Sequence, residues 1–142
     1  MRLLGIDYGR KRLGLALSDE GGILASPLPA RIRSRSEAED IAFLGDLVRE
    51  RRVERIVIGL PLNMDGSMGE MAEEALRFAS SIEGAIGIPI ATIDERLTSV
   101  EAERALIEGG ISRRRRKDLR DSLAAVLILQ VYLDRLRTGL VT

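Results

Sequence analysis

Short apolar runs broken by polar, glycine-bearing segments open this chain. Leu3 to Asp7 and Leu13 to Ser18 are such runs, separated by a basic turn bounded by Gly9 and Gly14. Ile23 to Ile32 is a third extended stretch, interrupted by Pro27 and Pro29, so the pattern predicts an antiparallel meander. The period then changes. Ser36 with Glu39 has capping-box spacing, and Ile41, Leu44, Leu47 and Val48 recur at helical intervals, predicting a helix to about Arg51. The β-branched run in "RIVIGLP" predicts a buried strand feeding the polar loop Asn63 to Gly69, with a tight turn at Asp65 and Gly66. Ala72, Ala75, Leu76, Ala79 and Ile82 mark a second helix, and Ile88 to Glu95 a further strand. Thr98 and Glu101 repeat the capping-box spacing before a short helix stopped by Gly109 and Gly110. A last helix is expected from about Asp118, its N-cap. Leu123 to Leu133 is apolar on nearly every face, as in a packed helix. This order predicts an α/β fold, a mixed sheet flanked by helices, whose sites favour the carboxyl ends of the parallel strands.

Composition narrows the chemistry more than it names a partner. The 142 residues fit one domain, 1–142, with one sizeable core. Apolar residues are 45% and charged residues 31%, with acids and bases in equal number, so net charge selects no ligand. His and Cys are both absent, which removes disulfides, thiolate–imidazole zinc sites, Ser-His-Asp triads and cysteine nucleophiles. Aromatics are 3%, too few for a platform that stacks bases. No uncharged apolar stretch reaches membrane-spanning length, and the N-terminal run is too short for a signal peptide, so a cytoplasmic protein is expected.

Carboxylates, hydroxyls and cations remain. Asp7 closes the first strand, where an isolated aspartate would be expected simply to bond its own turn. Asp94 and Glu95 end another strand and should face opposite ways, so only one can join Asp7. Glu95 could equally pair with Arg96 or Arg104. Asp121 precedes Ala124, Ala125 and Ile128 at helical spacing, which puts it on an apolar face where an unpaired carboxylate is costly. Three acids without His or Cys suit the oxygen-rich coordination of Mg²⁺ or Mn²⁺, and a pair of such ions can promote phosphodiester hydrolysis. Arg10, Lys11 and Arg12, with Arg113, Arg114, Arg115, Arg116 and Lys117, could then bind a polyanion backbone, although "RRRRK" by itself reads as a solvated loop. Leu15 and Ala16 stand where a P-loop needs Lys and Ser/Thr, which argues against a nucleotide cradle of that type.

"GIDYGRKRLGLALSD", "IVIGLPLNMDGSMGEMA", "TIDERLTSVEAE" and "DSLAAVLILQVYLD", in this order, closely resemble the YqgF or RuvX family of bacterial RNase H-like proteins, described as Holliday-junction resolvase-like and as pre-16S rRNA nucleases. The resemblance spans nearly the whole chain. It implies an RNase H-like fold and metal-dependent endonuclease activity on nucleic acid, in trimming the 5′ end of 16S rRNA. By the same resemblance Asp7, Glu95 and Asp121 take the metal-binding and catalytic positions, with "DER" selecting Glu95 over Asp94 and "DSLAAVLIL" selecting Asp121 over Asp118. In the nuclease hypothesis Arg96 joins the basic residues expected to position substrate phosphates. The alternatives are a resolvase of branched DNA and a non-catalytic nucleic-acid-binding module in ribosome assembly or transcription. A third is an actin-like ATP phosphotransferase, because "GIDYG" resembles that superfamily's first phosphate loop. The chain's length argues against it, since those enzymes close a cleft between two domains.

Overall fold

A computed structural model describes residues 1–97 and 113–141. Five strands form one sheet: β1 (Leu3–Asp7), β2 (Arg12–Ser18), β3 (Ala25–Ile32), β4 (Arg55–Leu60) and β5 (Ile90–Asp94). Among the described residues three α-helices flank it: α1 (Glu37–Arg51), α2 (Glu70–Ile86) and α3 (Arg113–Arg137). The strand order is β3-β2-β1-β4-β5. β1–β2 and β2–β3 pair antiparallel, as the meander requires, while β1–β4 and β4–β5 pair parallel. The carboxyl ends of β1, β4 and β5 therefore share one edge.

Strand alternation divides the core between the two faces. Leu4, Ile6, Leu13, Leu15, Ile56 and Ile58 pack against Leu44 and Val48 of α1 and Ala75, Phe78, Ala79 and Ile82 of α2. Leu3, Ala16, Val57 and Ile93 point the other way and are covered by α3 through Leu119, Ala125, Ile128, Leu129 and Tyr132. Among the described residues this one helix covers that face across β3, β2, β1 and β4. Its run from Leu123 to Leu133 is buried at most positions, which accounts for its nearly unbroken apolar sequence.

Three expectations change. α3 starts at Arg113, so "RRRRK" is the opening of a helix rather than a loop, and Asp118 lies inside that helix instead of capping it. Arginine and lysine are good helix formers, and the charge run hid that propensity. β5 ends at Asp94, and Glu95 begins a 3₁₀ turn, Glu95–Leu97. Ser36 is the N-cap of α1 but makes no side-chain capping bond. Asp40, one turn into the helix, does the anchoring instead: its carboxylate accepts the Ser34 N–H at 3.0 Å and Arg33 Nε at 3.0 Å. The spacings at Thr98–Glu101 and Gly109–Gly110 lie outside the described residues.

Asp40 is fully buried, and burial penalises its charge, yet the Ser34 N–H and the Arg33 and Arg31 guanidinium groups hold its carboxyl below the usual range. Removing it would strand Arg33 in a nearly closed site. Asp40→Ala should therefore lower stability by about 3 kcal/mol in urea unfolding, far more than loss of an exposed ion pair such as Arg137–Asp134.

Candidate active site

Asp7 ends the central strand β1 and faces α3, half-buried, opposite Gly14 of β2. A Cβ built on Gly14 would sit 3.3 Å from Asp7 Cβ, 3.4 Å from the Asp121 carbonyl oxygen and 3.6 Å from Ser122 Cα. A methyl-sized gap thus separates Asp7 from the turn of α3 that carries Asp121. That turn is pinned: Ser122 Oγ donates to the Leu28 carbonyl at 2.7 Å and accepts the Leu15 N–H at 3.1 Å. Leu15 flanks an irregularity in the β2–β3 register, so the serine supplies a partner where the ladder slips.

Glu95 reaches the same place from the far side. Its side chain lies over Gly59 of β4, where an added Cβ would come within 2.6 Å of Glu95 Cγ and 2.4 Å of Ile128 Cδ1. Glu95 and Asp7 are hydrogen-bonded through their carboxyl groups. Burial raises both pKa values. Glu95 is pushed up to about 8 by burial, then by its hydrogen bond to Asp7 and by repulsion from Asp7 and Asp94. For Asp7 burial is again the larger effect, partly offset by the hydrogen bond from Glu95. The pair retains a proton near neutral pH, shared between the two carboxyl groups.

Asp121 stands apart from this pair. The expected burial is not observed: its side chain is 31% exposed and accepts Arg12 Nη1 at 3.1 Å. Helical spacing identifies the apolar face of α3 but not the edges of its cover: Leu119, two residues earlier, is buried, while Asp121 keeps solvent and Arg12 beside it. No three metal-ligating side chains converge closely enough for one ion among the described residues. Asp94 points away from Asp7, as alternation requires, and is held below its usual pKa mainly by Arg96, which approaches it at 2.7 Å.

Of the predicted cations, Arg10, Arg12 and Arg96 are each held by an acid. Arg10 Nε donates to Glu74 Oε2 at 3.0 Å, with Glu70 3.6 Å from its Nη2. Arg96 also donates to the Met64 carbonyl at 3.1 Å, which braces the Asp65–Gly66 turn. Lys11 and Lys117 are exposed. Arg12, Lys117, Asp118 and Asp121 border a groove of about 570 Å³ against Pro29, Ala30 and Ile32 of β3. The side chains of Arg113, Arg114, Arg115 and Arg116, and all of Arg104, lie outside the described residues. Sequence reasoning missed Gly59 and Ser122. A lone hydroxyl inside "DSLAAVLIL" was the available sign for Ser122, whereas nothing around Gly59 in "RIVIGLP" marks it.

A mixed sheet in this order, with one long helix across the face that bears the acids, is the RNase H-like architecture. Thermus thermophilus RuvC shares it, with a TM-score of 0.64 at 18% identity, covering 98% of this chain and 97% of that one. A second structure of that protein, in complex with a Holliday junction substrate, gives 0.63 at 19% identity with the same coverage. Sequence comparison is more specific. The profile described as "RuvX: Holliday junction resolvase" matches residues 1–135. Two relatives carry the name "Putative pre-16S rRNA nuclease": one from Moorella thermoacetica, 49% identical over 136 residues and 96% of each chain, and one from Syntrophus aciditrophicus, 49% identical over 134 residues, 94% of this chain and 89% of that one. The chain belongs to the RuvX family.

The raised pKa of Glu95 makes stability depend on pH. Unfolded Glu95 loses its proton near 4.5 and folded Glu95 near 8, so between these values the unfolded state binds fewer protons and stability falls as pH rises. Urea unfolding without divalent ions should show this decline, levelling off above about 8, and Glu95→Gln should flatten it. Gly59→Ala, which forces Glu95 off the strand, should flatten it too while leaving the carboxyl in the chain.

Proposed function

We propose that this chain is a metal-dependent endonuclease, one domain over 1–142, which hydrolyses phosphodiester bonds of nucleic acid and matures the 5′ end of precursor 16S rRNA. The single observation that carries the reading is the half-buried Asp7–Glu95 carboxyl pair at the carboxyl edge of the parallel strands. Two acids forced together and partly desolvated are stabilised by a cation between them, and their all-oxygen donor set fits Mg²⁺ or Mn²⁺. Asp121 completes the set from a backbone already adjacent to Asp7, needing a side-chain rotation away from Arg12. Bound divalent ions would supply charge neutralisation at the phosphodiester and a water of lowered pKa.

The chain's own residues do the rest. Asp7 and Glu95 would hold the cation with their carboxylates once their shared proton is lost, with Ser122 fixing the turn that presents Asp121. Lys11, Lys117, Arg10, Arg12, Arg96 and the helical start from Arg113 to Arg116 hold the phosphate backbone. The substrate assignment rests on the names of the relatives, and the cytoplasm, where immature ribosomal RNA is met, is the compartment it implies. No described helix is long and apolar enough to cross a membrane. Branched DNA is the second substrate reading, supported by the family's description.

Incubating the purified protein with immature 16S rRNA and with a four-way DNA junction, each with Mg²⁺ or Mn²⁺, separates these readings by product. Asp7→Asn should abolish cleavage while keeping the fold by circular dichroism and most of the nucleic-acid affinity. Metal-dependent cutting that persists in Asp7→Asn would overturn the scheme. Salt-sensitive binding by the wild type without any cleavage would favour a binding module instead.

A further inference from the structure

We infer that Arg12 couples nucleic-acid binding to metal binding by exchange: in the free protein its guanidinium occupies Asp121, and a substrate phosphate must draw it off before Asp121 can join Asp7 and Glu95. This rests on the nuclease reading above and adds a positioning role for one residue. Three observations point to it. Asp121 Oδ1 is engaged by Arg12 Nη1 at 3.1 Å, while Asp7 and Glu95 are engaged with each other. The backbone at Asp121 is already in place, a methyl-sized gap from Asp7 and tied down by Ser122, so only side chains need to move. Arg12 itself is 57% exposed and borders the groove with Lys117, where a phosphate can reach it.

The energetics suit a switch. An ion pair this exposed is worth no more than about 1 kcal/mol, so it biases Asp121 without locking it. A phosphate with the planar guanidinium forms a stronger, bidentate contact, which makes the exchange favourable once substrate arrives. A divalent ion approaching without substrate meets a site whose third carboxylate is already neutralised by a cation. Metal and nucleic acid therefore bind more tightly together than either does alone, and the coupling is reciprocal.

The test measures Mn²⁺ binding by calorimetry without nucleic acid, at low ionic strength, for the wild type, Arg12→Ala, Lys11→Ala, Asp121→Asn, Asp7→Asn and the Arg12→Ala/Asp121→Asn double variant. Arg12→Ala should tighten Mn²⁺ binding about fivefold, the effect of releasing one exposed ion pair. Lys11→Ala, which removes the same charge from the neighbouring exposed residue, should change it much less. In the Asp121→Asn background the gain should vanish, whereas a diffuse field effect would persist. The complementary measurement is binding of a short RNA duplex in EDTA. Asp121→Asn should tighten it by freeing Arg12, and the double variant should lose that gain. Equal Mn²⁺ affinity in wild type and Arg12→Ala, or a gain that survives Asp121→Asn, overturns the exchange. The nuclease reading is judged separately, by cleavage: here its metal requirement is met if Mn²⁺ binds the wild type and not Asp7→Asn, and both ideas fail if Mn²⁺ binds neither the wild type nor Arg12→Ala.

Discussion

The close approach of α3 to the sheet is the constraint on which the rest depends. Side chains normally keep a helix about 10 Å from a sheet, and here three glycines remove that layer. A Cβ on Gly5 would lie 2.8 Å from Leu129 Cβ and 3.0 Å from the Ala125 carbonyl oxygen, both fixed parts of the helix. Gly14 performs the same service at the Asp121–Ser122 turn, and Gly59 leaves the space that Glu95 and Ile128 share. The helix therefore lies across β1, β2 and β4 with its backbone near the strands, and its Asp121 end arrives beside Asp7. A sheet with ordinary side chains at these positions would hold the two acids a full layer apart.

Burial and charge are balanced differently on the two faces. Beneath α1 the carboxylate of Asp40 is fully enclosed and stays ionised, because two arginines and a backbone N–H converge on it. Beside α3, Asp7 and Glu95 are each other's hydrogen-bond partners, so their burial is met by retaining a proton. The first arrangement is a structural tie between β3 and α1. The second leaves a site that gains from any divalent cation able to displace the proton. Around it Arg10, Arg12 and Arg96 are each paired with a carboxylate, so the rim carries cations whose partners are exchangeable.

Much of this was legible because period and punctuation agree in the sequence. β1 runs from Leu3 to Asp7 as its apolar run does, and the Asn63–Gly69 loop turns at Gly66, whose φ of 87° suits glycine. Alternation correctly separated Asp94 from Glu95, even though Glu95 lies just past the strand. What stayed hidden depends on tertiary distance. The apolar spacing after Asp121 located the right helical face, but only the packing against the sheet decides which flanking positions stay open, and Asp121 does while Leu119 does not. Ser36 had the spacing of a capping box, and the buried demand of Arg31 and Arg33 gave the anchoring to Asp40 instead. Gly59 passed unmarked inside "RIVIGLP" because nothing local reveals that a glutamate 36 positions later needs the room.

The separation of Asp121 from the Asp7–Glu95 pair follows from the same physics. Three ionised carboxylates crowded together without a cation would repel one another in a partly desolvated site, so a metal-free protein is most stable with its acids dispersed. Asp7 and Glu95 have less room to disperse, since one ends a buried strand and the other lies over Gly59 beside Ile128. Asp121 has more, because it sits on a rim with solvent on one side and Arg12 on the other. The fold thus fixes the two acids whose protonation absorbs their burial, and leaves adjustable the one whose charge a neighbouring cation can hold. An oxygen-rich metal site is in this way compatible with a stable protein in the absence of metal.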